Sequence, residues 1–218
     1  MASFSSSLVA KSLRTLSLML LCCVLTLTAF SQAAQAASPS RQVLEVTVNK
    51  VLALLADPAF ANPATREKQR ARIEVEVRKV FDFSEFSART AGQRWRSFNA
   101  DQQNRFAEAF ADLLLTTYLG QLQNYNGEQV RYTGERSNAK GTRVEQLTEI
   151  TMHDGKIIPV AYRMMPKKGT WVVYDVLVEG VSLVKNYRTQ FQDILATASP
   201  DDLIARIQAK AKEVRNRK

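Results

Sequence analysis

The chain has 218 residues, with 30 Lys and Arg against 21 Asp and Glu, and its formal net charge is +9 at pH 7. It contains one histidine, and both of its cysteines, Cys22 and Cys23, lie close to the amino terminus. Beyond residue 23 this composition excludes a disulfide, a cysteine nucleophile and a metal centre built from cysteine. The basic excess suits an anionic partner.

Residues 1–36 have the pattern of an export signal. Lys11 and Arg14 precede an uncharged apolar run over residues 16–30, and the small-residue site Ala34-Gln35-Ala36 follows it. A run of about 15 residues is shorter than the roughly 20 that span a bilayer, so a retained membrane anchor is the weaker alternative. We expect cleavage near Ala36 and a mature chain, residues 37–218, that forms one domain.

Helical periodicity dominates the first half of the mature chain. Apolar residues recur at helical spacing over residues 43–55, a second helix opens near Thr65, and a short third helix covers residues 84–91. Asn99 and Gln102 form a capping-box pattern ahead of a helix of about 25 residues that we expect to stop at Asn126-Gly127.

The periodicity changes to two from Gln129 onward. Segments 129–136, 142–151, 157–165 and 170–179 are separated by short polar turns, which predicts an antiparallel meander. Residues 181–195 return to a helical period, and Ser199-Pro200 begins a last helix. Helices before and after a consecutive sheet predict an α+β domain with the helices packed on a curved antiparallel sheet of about four strands.

The residues at the sheet-to-helix junction resemble a known family. The stretch Glu179-Gly180-x-Ser-x-x-x-Asn-Tyr-Arg-x-x-Phe191 is similar to the signature of the MlaC or toluene-tolerance (Ttg2-type) family of periplasmic phospholipid-binding proteins. Phe81-Asp82-Phe83 and Trp95-Arg96 are also placed as in that family. The resemblance extends from about residue 73 to about residue 205, which is most of the mature chain.

The resemblance implies an NTF2-like core with a helical subdomain (helical residues 40–126, sheet 129–179, C-terminal helices 181–214). It also implies a periplasmic monomer that encloses acyl chains, keeps the headgroup near solvent, and needs no cofactor beyond its phospholipid cargo. Its expected partners are an inner-membrane ABC transporter with a ring of MCE domains and an outer-membrane lipoprotein/porin complex. Such a carrier maintains outer-membrane lipid asymmetry and does not catalyse a reaction. Export, and the spread of the basic residues along the chain without an aromatic-basic platform, argue against binding of nucleic acid.

Alternation along the predicted strands indicates which side chains would line a cavity. One face of the segment 157–165 is apolar, and we expect the long helix to cover it. The same residues could instead form an ordinary filled core, and the sequence pattern fits both. The candidate lining residues are Tyr118, Leu122, Tyr125, Ile150, Ile158, Val160, Tyr162, Met164 and Val173.

Three cations are candidates for contact with a lipid headgroup: Arg163, Lys185 and Arg188. For Arg188 we favour a structural ion pair with Asp175 or Glu179, because a guanidinium near buried strand ends needs a carboxylate.

Catalysis has little support in the sequence. His153 lies in a His-Asp-Gly turn, and Ser182 lacks the second glycine of a nucleophile elbow, so a capping role suits it better. The alternative to a lipid carrier is an adaptor that binds other proteins through its basic surface and holds no cargo.

Overall fold

A computed structural model describes residues 37–121 and 125–216. The predicted export signal, residues 1–36, and the predicted lining residue Leu122 lie outside the described residues. The described residues from Ser38 onward belong to one compact unit. Within residues 37–121 and 125–216, no helix combines the length and the apolar character needed to cross a bilayer.

The first three helices of the unit each begin with a polar N-cap residue and a proline. Ser38, Asp57 and Asn62 each accept a hydrogen bond from a backbone N–H of the first turn, and a proline follows each cap. Proline is favoured at this position because its missing N–H has no helical partner there. The helices are α1 (Pro39–Ala56), α2 (Pro58–Ala61) and α3 (Pro63–Val80).

The next helices are α4 (Phe83–Ala91), a 3₁₀ helix (Gly92–Ser97) and α5 (Ala100–Gln121). The predicted capping box of α5 is confirmed. The Gln102 N–H donates to Asn99 Oδ1 at 2.8 Å, and the Asn99 N–H donates to Gln102 Oε1 at 3.0 Å. Helix α5 is described as far as Gln121, so its predicted stop at Asn126-Gly127 stays a prediction.

The sheet is an antiparallel meander of five strands in the order β1-β2-β3-β4-β5. Its four long strands agree with the prediction, and the fifth was missed because Val181–Ser182 pairs with β4 before the helix begins. The strands are β1 (Gln129–Ser137), β2 (Val144–Thr151), β3 (Ile157–Lys167), β4 (Thr170–Val178) and β5 (Val181–Ser182). Helices α6 (Leu183–Leu195) and α7 (Pro200–Asn216) complete the unit, and the predicted Ser199 cap of α7 is present.

The sheet has an inner face, which carries Gln146 and Thr148 from β2 and Val160 and Tyr162 from β3. Helix α1 packs on β2 and β4 at this face. The sequence predicted α5 as the cover, and this prediction is wrong, because α5 packs mainly against α4 and α7. Helices α4 and α6 contact β4.

Three apolar clusters form the interior. The helical cluster joins α4, α5, α6 and α7, the sheet cluster lies between the inner face and α1, and the third cluster joins α1, α2, α3 and α5. Phe83 packs against the helical and the third cluster, and Leu183 packs against the helical and the sheet cluster. The apolar interior is therefore continuous from the sheet to the last helix.

Candidate functional site

The sheet cluster brings together most of the predicted lining residues. Leu44 of α1 and Val80 of α3, each 1% exposed, pack against them from the helical side. The buried members from the prediction are Val160, Met164 and Val173, and the partly buried ones are Ile150, Ile158 and Tyr162.

The remaining candidates are placed elsewhere. Tyr118 packs against the helical cluster, and Tyr125 packs against the third cluster. Burial raises the pKa of Tyr118, and it raises the pKa of Tyr187 to about 12, with a smaller contribution from Tyr118. These two phenols are therefore close to each other in the helical cluster, away from the inner face.

Helix α1 lies closed on the sheet, and its Leu44 is buried in the sheet cluster. Two open surface grooves lie elsewhere in the described part of the chain. One includes Arg78 and Glu108, and the other includes Lys50 and Glu76. Lining by the sheet-cluster residues therefore stays a prediction that requires α1 to move.

A polar latch fastens the start of α1 to the sheet. We use this name for Ser38, Ser40, Glu135 and Gln146. The Glu135 carboxylate accepts hydrogen bonds from Ser38 Oγ, from Ser40 Oγ at 3.3 Å, and from Gln146 Nε2. Gln146 Nε2 also lies 3.0 Å from Ser40 Oγ, and both residues are 1% exposed. The charged acceptor strengthens these contacts, and two of the three donors, Ser40 and Gln146, are buried, whereas Glu135 itself is exposed.

Tyr132 is the next inner-face residue on β1. The Arg41 guanidinium carbon lies 4.9 Å from its ring centroid, and Arg41 Nε pairs with Glu45 at 3.4 Å. Among the described residues, the buried Tyr132 hydroxyl has no hydrogen-bond partner. Burial raises its pKa, with a further contribution from Tyr162, and burial raises the pKa of Tyr162 itself to about 12. Both phenols are therefore neutral at ordinary pH.

The three predicted headgroup cations are not on the inner face. Arg163 pairs with Glu145 at 2.9 Å and with Asp175 at 3.2 Å on the opposite side of the sheet, which we call the outer face. Lys185 is exposed in the first turn of α6. Arg188 Nε donates to the Arg89 carbonyl oxygen at 2.8 Å. The structure does not bring these cations together around one site.

The predicted ion pair between Arg188 and Asp175 or Glu179 is wrong. Asp175 is 3% exposed and accepts from Arg163, from Ser182 Oγ at 2.7 Å and from the Val184 N–H at 3.0 Å. Lys156 pairs with Glu179 instead. Arg163 and Asp175 are directly opposite in the β3–β4 register, so a correct register would have revealed the pair.

The two residues considered for catalysis, Ser182 and His153, are a helix cap and an exposed turn residue. Ser182 caps α6, because its Oγ accepts from the Lys185 N–H at 3.1 Å. His153 is exposed in the turn between β2 and β3. In the described part of the chain, no three His, Cys, Asp or Glu side chains form a group that could hold a metal ion.

The architecture is that of an open antiparallel sheet packed against helices, and it matches a solved phospholipid-binding protein. That structure, from Ralstonia solanacearum, was determined in complex with a phospholipid. The TM-score is 0.71 at 23% sequence identity, over 81% of this chain and 99% of that one. The family model described as MlaC protein matches residues 45–209. The chain belongs to the MlaC family.

Two curated relatives are similar over part of their length. The chain is 25% identical over 130 residues to the intermembrane phospholipid transport system binding protein MlaC of Haemophilus influenzae, covering 58% of this chain and 60% of that protein. It is 29% identical over 100 residues to toluene tolerance protein ttg2D of Pseudomonas putida, covering 46% of each. The alignments thus span 60% and 46% of the two relatives.

Proposed function

We propose that this protein is a phospholipid carrier that holds acyl chains between α1 and the inner face of the sheet. The observation that carries the proposal is an apolar sheet face covered mainly by one helix, in a fold shared with a protein solved with a phospholipid. Membership of the MlaC family and the names of the two relatives support the same function.

The energetics require deep burial of the cargo. At about 0.8 kcal/mol per methylene, two chains of roughly 15 methylenes each lose on the order of 24 kcal/mol on leaving a bilayer for water. A carrier must replace nearly all of that burial. Helix α1 would move away from the sheet as the chains enter, and Met164, with its flexible thioether, would adapt to chains of different length.

The carrier would operate in the periplasm after removal of residues 1–36. There it would act as a monomer between an inner-membrane ABC transporter with an MCE-domain ring and an outer-membrane lipoprotein/porin complex, and so maintain outer-membrane lipid asymmetry. The protein would perform no catalysis, because transfer between membranes needs only binding and release.

The alternative is a periplasmic adaptor that binds proteins and holds no lipid. The observation that favours it is the closed packing of Leu44 against Val160 and its neighbours in the sheet cluster. The two functions differ in whether the purified protein contains lipid.

Lipid extraction decides between them. The full chain would be expressed with its own leader, purified from the periplasm, extracted with organic solvent and analysed by mass spectrometry. We expect phospholipid in amounts comparable to the protein. Val160→Asp should lose the lipid while retaining its circular dichroism spectrum, whereas Ala161→Asp, on the outer face of the same strand, should retain it. Recovery of no phospholipid from the wild type would refute the carrier and favour the adaptor.

A further inference from the structure

One buried polar group on the inner face, the Tyr132 hydroxyl, has no partner among the residues that the structure describes. The buried side-chain N and O atoms that lack a hydrogen bond in the described part of the chain are Ser87 Oγ, Arg89 Nε and the Tyr132 hydroxyl oxygen. Ser87 and Arg89 both lie on α4. Tyr132 alone of the three packs against the sheet cluster, where the acyl chains are proposed to lie.

Among the described residues, no polar side chain accepts a hydrogen bond from the Tyr132 hydroxyl. Thr148, directly opposite Tyr132 in the sheet, donates its hydroxyl to the Val160 carbonyl oxygen at 2.8 Å. Gln146 donates to Glu135 in the polar latch. A buried donor without an acceptor is unfavourable, and native proteins rarely keep one without a reason. An acceptor supplied by a ligand gives such a reason.

The environment of the Tyr132 hydroxyl favours a neutral hydrogen-bond acceptor over a charged one. Tyr132 is directly opposite Thr148, which is directly opposite Val160, so Tyr132 lies in line with a residue proposed to contact the acyl chains. A phosphate in this position would be a buried charge, which is strongly unfavourable without a cation, whereas a neutral carbonyl oxygen needs only one donor. The ester groups of a phospholipid are neutral and lie at the end of the acyl chains.

We propose that the Tyr132 hydroxyl donates a hydrogen bond to an ester carbonyl oxygen of the bound phospholipid. This inference rests on the carrier function and adds the position and orientation of the cargo. Arg41, whose side chain is 40% exposed above the Tyr132 ring, then lies at the rim, on the side from which the headgroup extends toward solvent. The glycerol region would thus be held beside the first turns of α1.

The test uses Tyr132→Phe, which removes the hydroxyl and keeps the ring. Dissociation would be measured for a fluorescent phosphatidylethanolamine with two ester-linked chains and for its diether analogue, which has no carbonyl oxygens. We expect the variant to release the ester lipid roughly three- to tenfold faster than the wild type, the effect of one neutral hydrogen bond. The two proteins should release the diether lipid at equal rates.

Two controls separate this effect from damage to the fold. Urea unfolding of Tyr132→Phe should give a midpoint equal to or above that of the wild type, because no protein hydrogen bond is lost. Tyr187→Phe, which removes another buried phenol but lies in the helical cluster, should leave the release of both lipids unchanged.

Two results would overturn the inference while leaving the carrier function intact. One is release of the ester lipid by Tyr132→Phe at the wild-type rate, and the other is equal acceleration for the ester and diether lipids. A wild-type protein that takes up neither lipid would instead refute the carrier function, and this inference with it.

Discussion

Asp175 of β4 connects its strand to three other elements. Its carboxylate on β4 accepts from Arg163 of β3, Ser182 of β5 and the backbone of Val184 in α6. The sequence indicated that an ion pair would form here but selected Arg188 of α6, whereas the partner is Arg163 of β3. A bulge at Tyr174 shifts the β3–β4 register, and no turn or periodicity signal in the sequence marks that bulge.

Replacement of Asp175 should therefore be costly. Asp175→Ala leaves buried donors on Ser182 and Val184 without an acceptor, and we expect a loss of roughly 2–4 kcal/mol in the free energy of unfolding, measured by urea denaturation. The matched control is Glu149→Ala, which breaks an exposed pair with Arg131 on the same sheet and should lose less than about 1 kcal/mol. Equal small losses in both variants would show that the Asp175 network does not stabilise the fold.

At the scale of elements, the helix starts and the strand order were predictable because their signals are local. The Asn99 capping box, the Ser199-Pro200 start and the polar turns of the meander each act within a few residues. The position of α1 on the sheet was not predictable, because the apolar faces of α1 and α5 suit a sheet equally well. One clue was present: Gln146 interrupts the apolar alternation of β2, and the structure shows that it bonds to the start of α1.

The polar latch should control how readily α1 opens. Glu135→Ala removes the acceptor shared by Ser38, Ser40 and Gln146, so α1 would be held less firmly. We expect exchange of a fluorescent phospholipid with vesicles to become about fivefold faster or more. Loss of about 1 kcal/mol of the free energy that holds α1 on the sheet would raise the exchange rate by that factor.

The control for this prediction is the neighbouring residue on β1. Arg136 forms its pair with Glu145 on the outer face, so Arg136→Ala should leave the exchange rate at the wild-type value. Unchanged exchange in Glu135→Ala, or equal acceleration in both variants, would argue that α1 is not the element that opens.

At the scale of the whole molecule, the sequence predicted the α+β class and the MlaC family, and the structure and the family model agree. The residues of the candidate site were predicted in part. The sheet alternation correctly grouped Ile158, Val160, Tyr162 and Met164 on one face, whereas Tyr118 was assigned to the same site only because α5 was expected to cover the sheet. Neither Tyr132 nor the polar latch was found, because a polar residue on a strand gives no sign of its face until the register is known.

The proposed position of the acyl chains, between α1 and the inner face, can be tested by photocrosslinking. The mature protein would be loaded with a phospholipid that carries a diazirine in mid-chain, irradiated and digested with trypsin, and the adducts located by mass spectrometry. The proposed position predicts adducts on the α1 peptide 42–50 and on the sheet peptides 144–156 and 157–163, at Leu44, Ile150, Ile158 or Val160. Adducts confined to peptide 189–206 of α6 and α7, with none on α1 or the inner face, would contradict it.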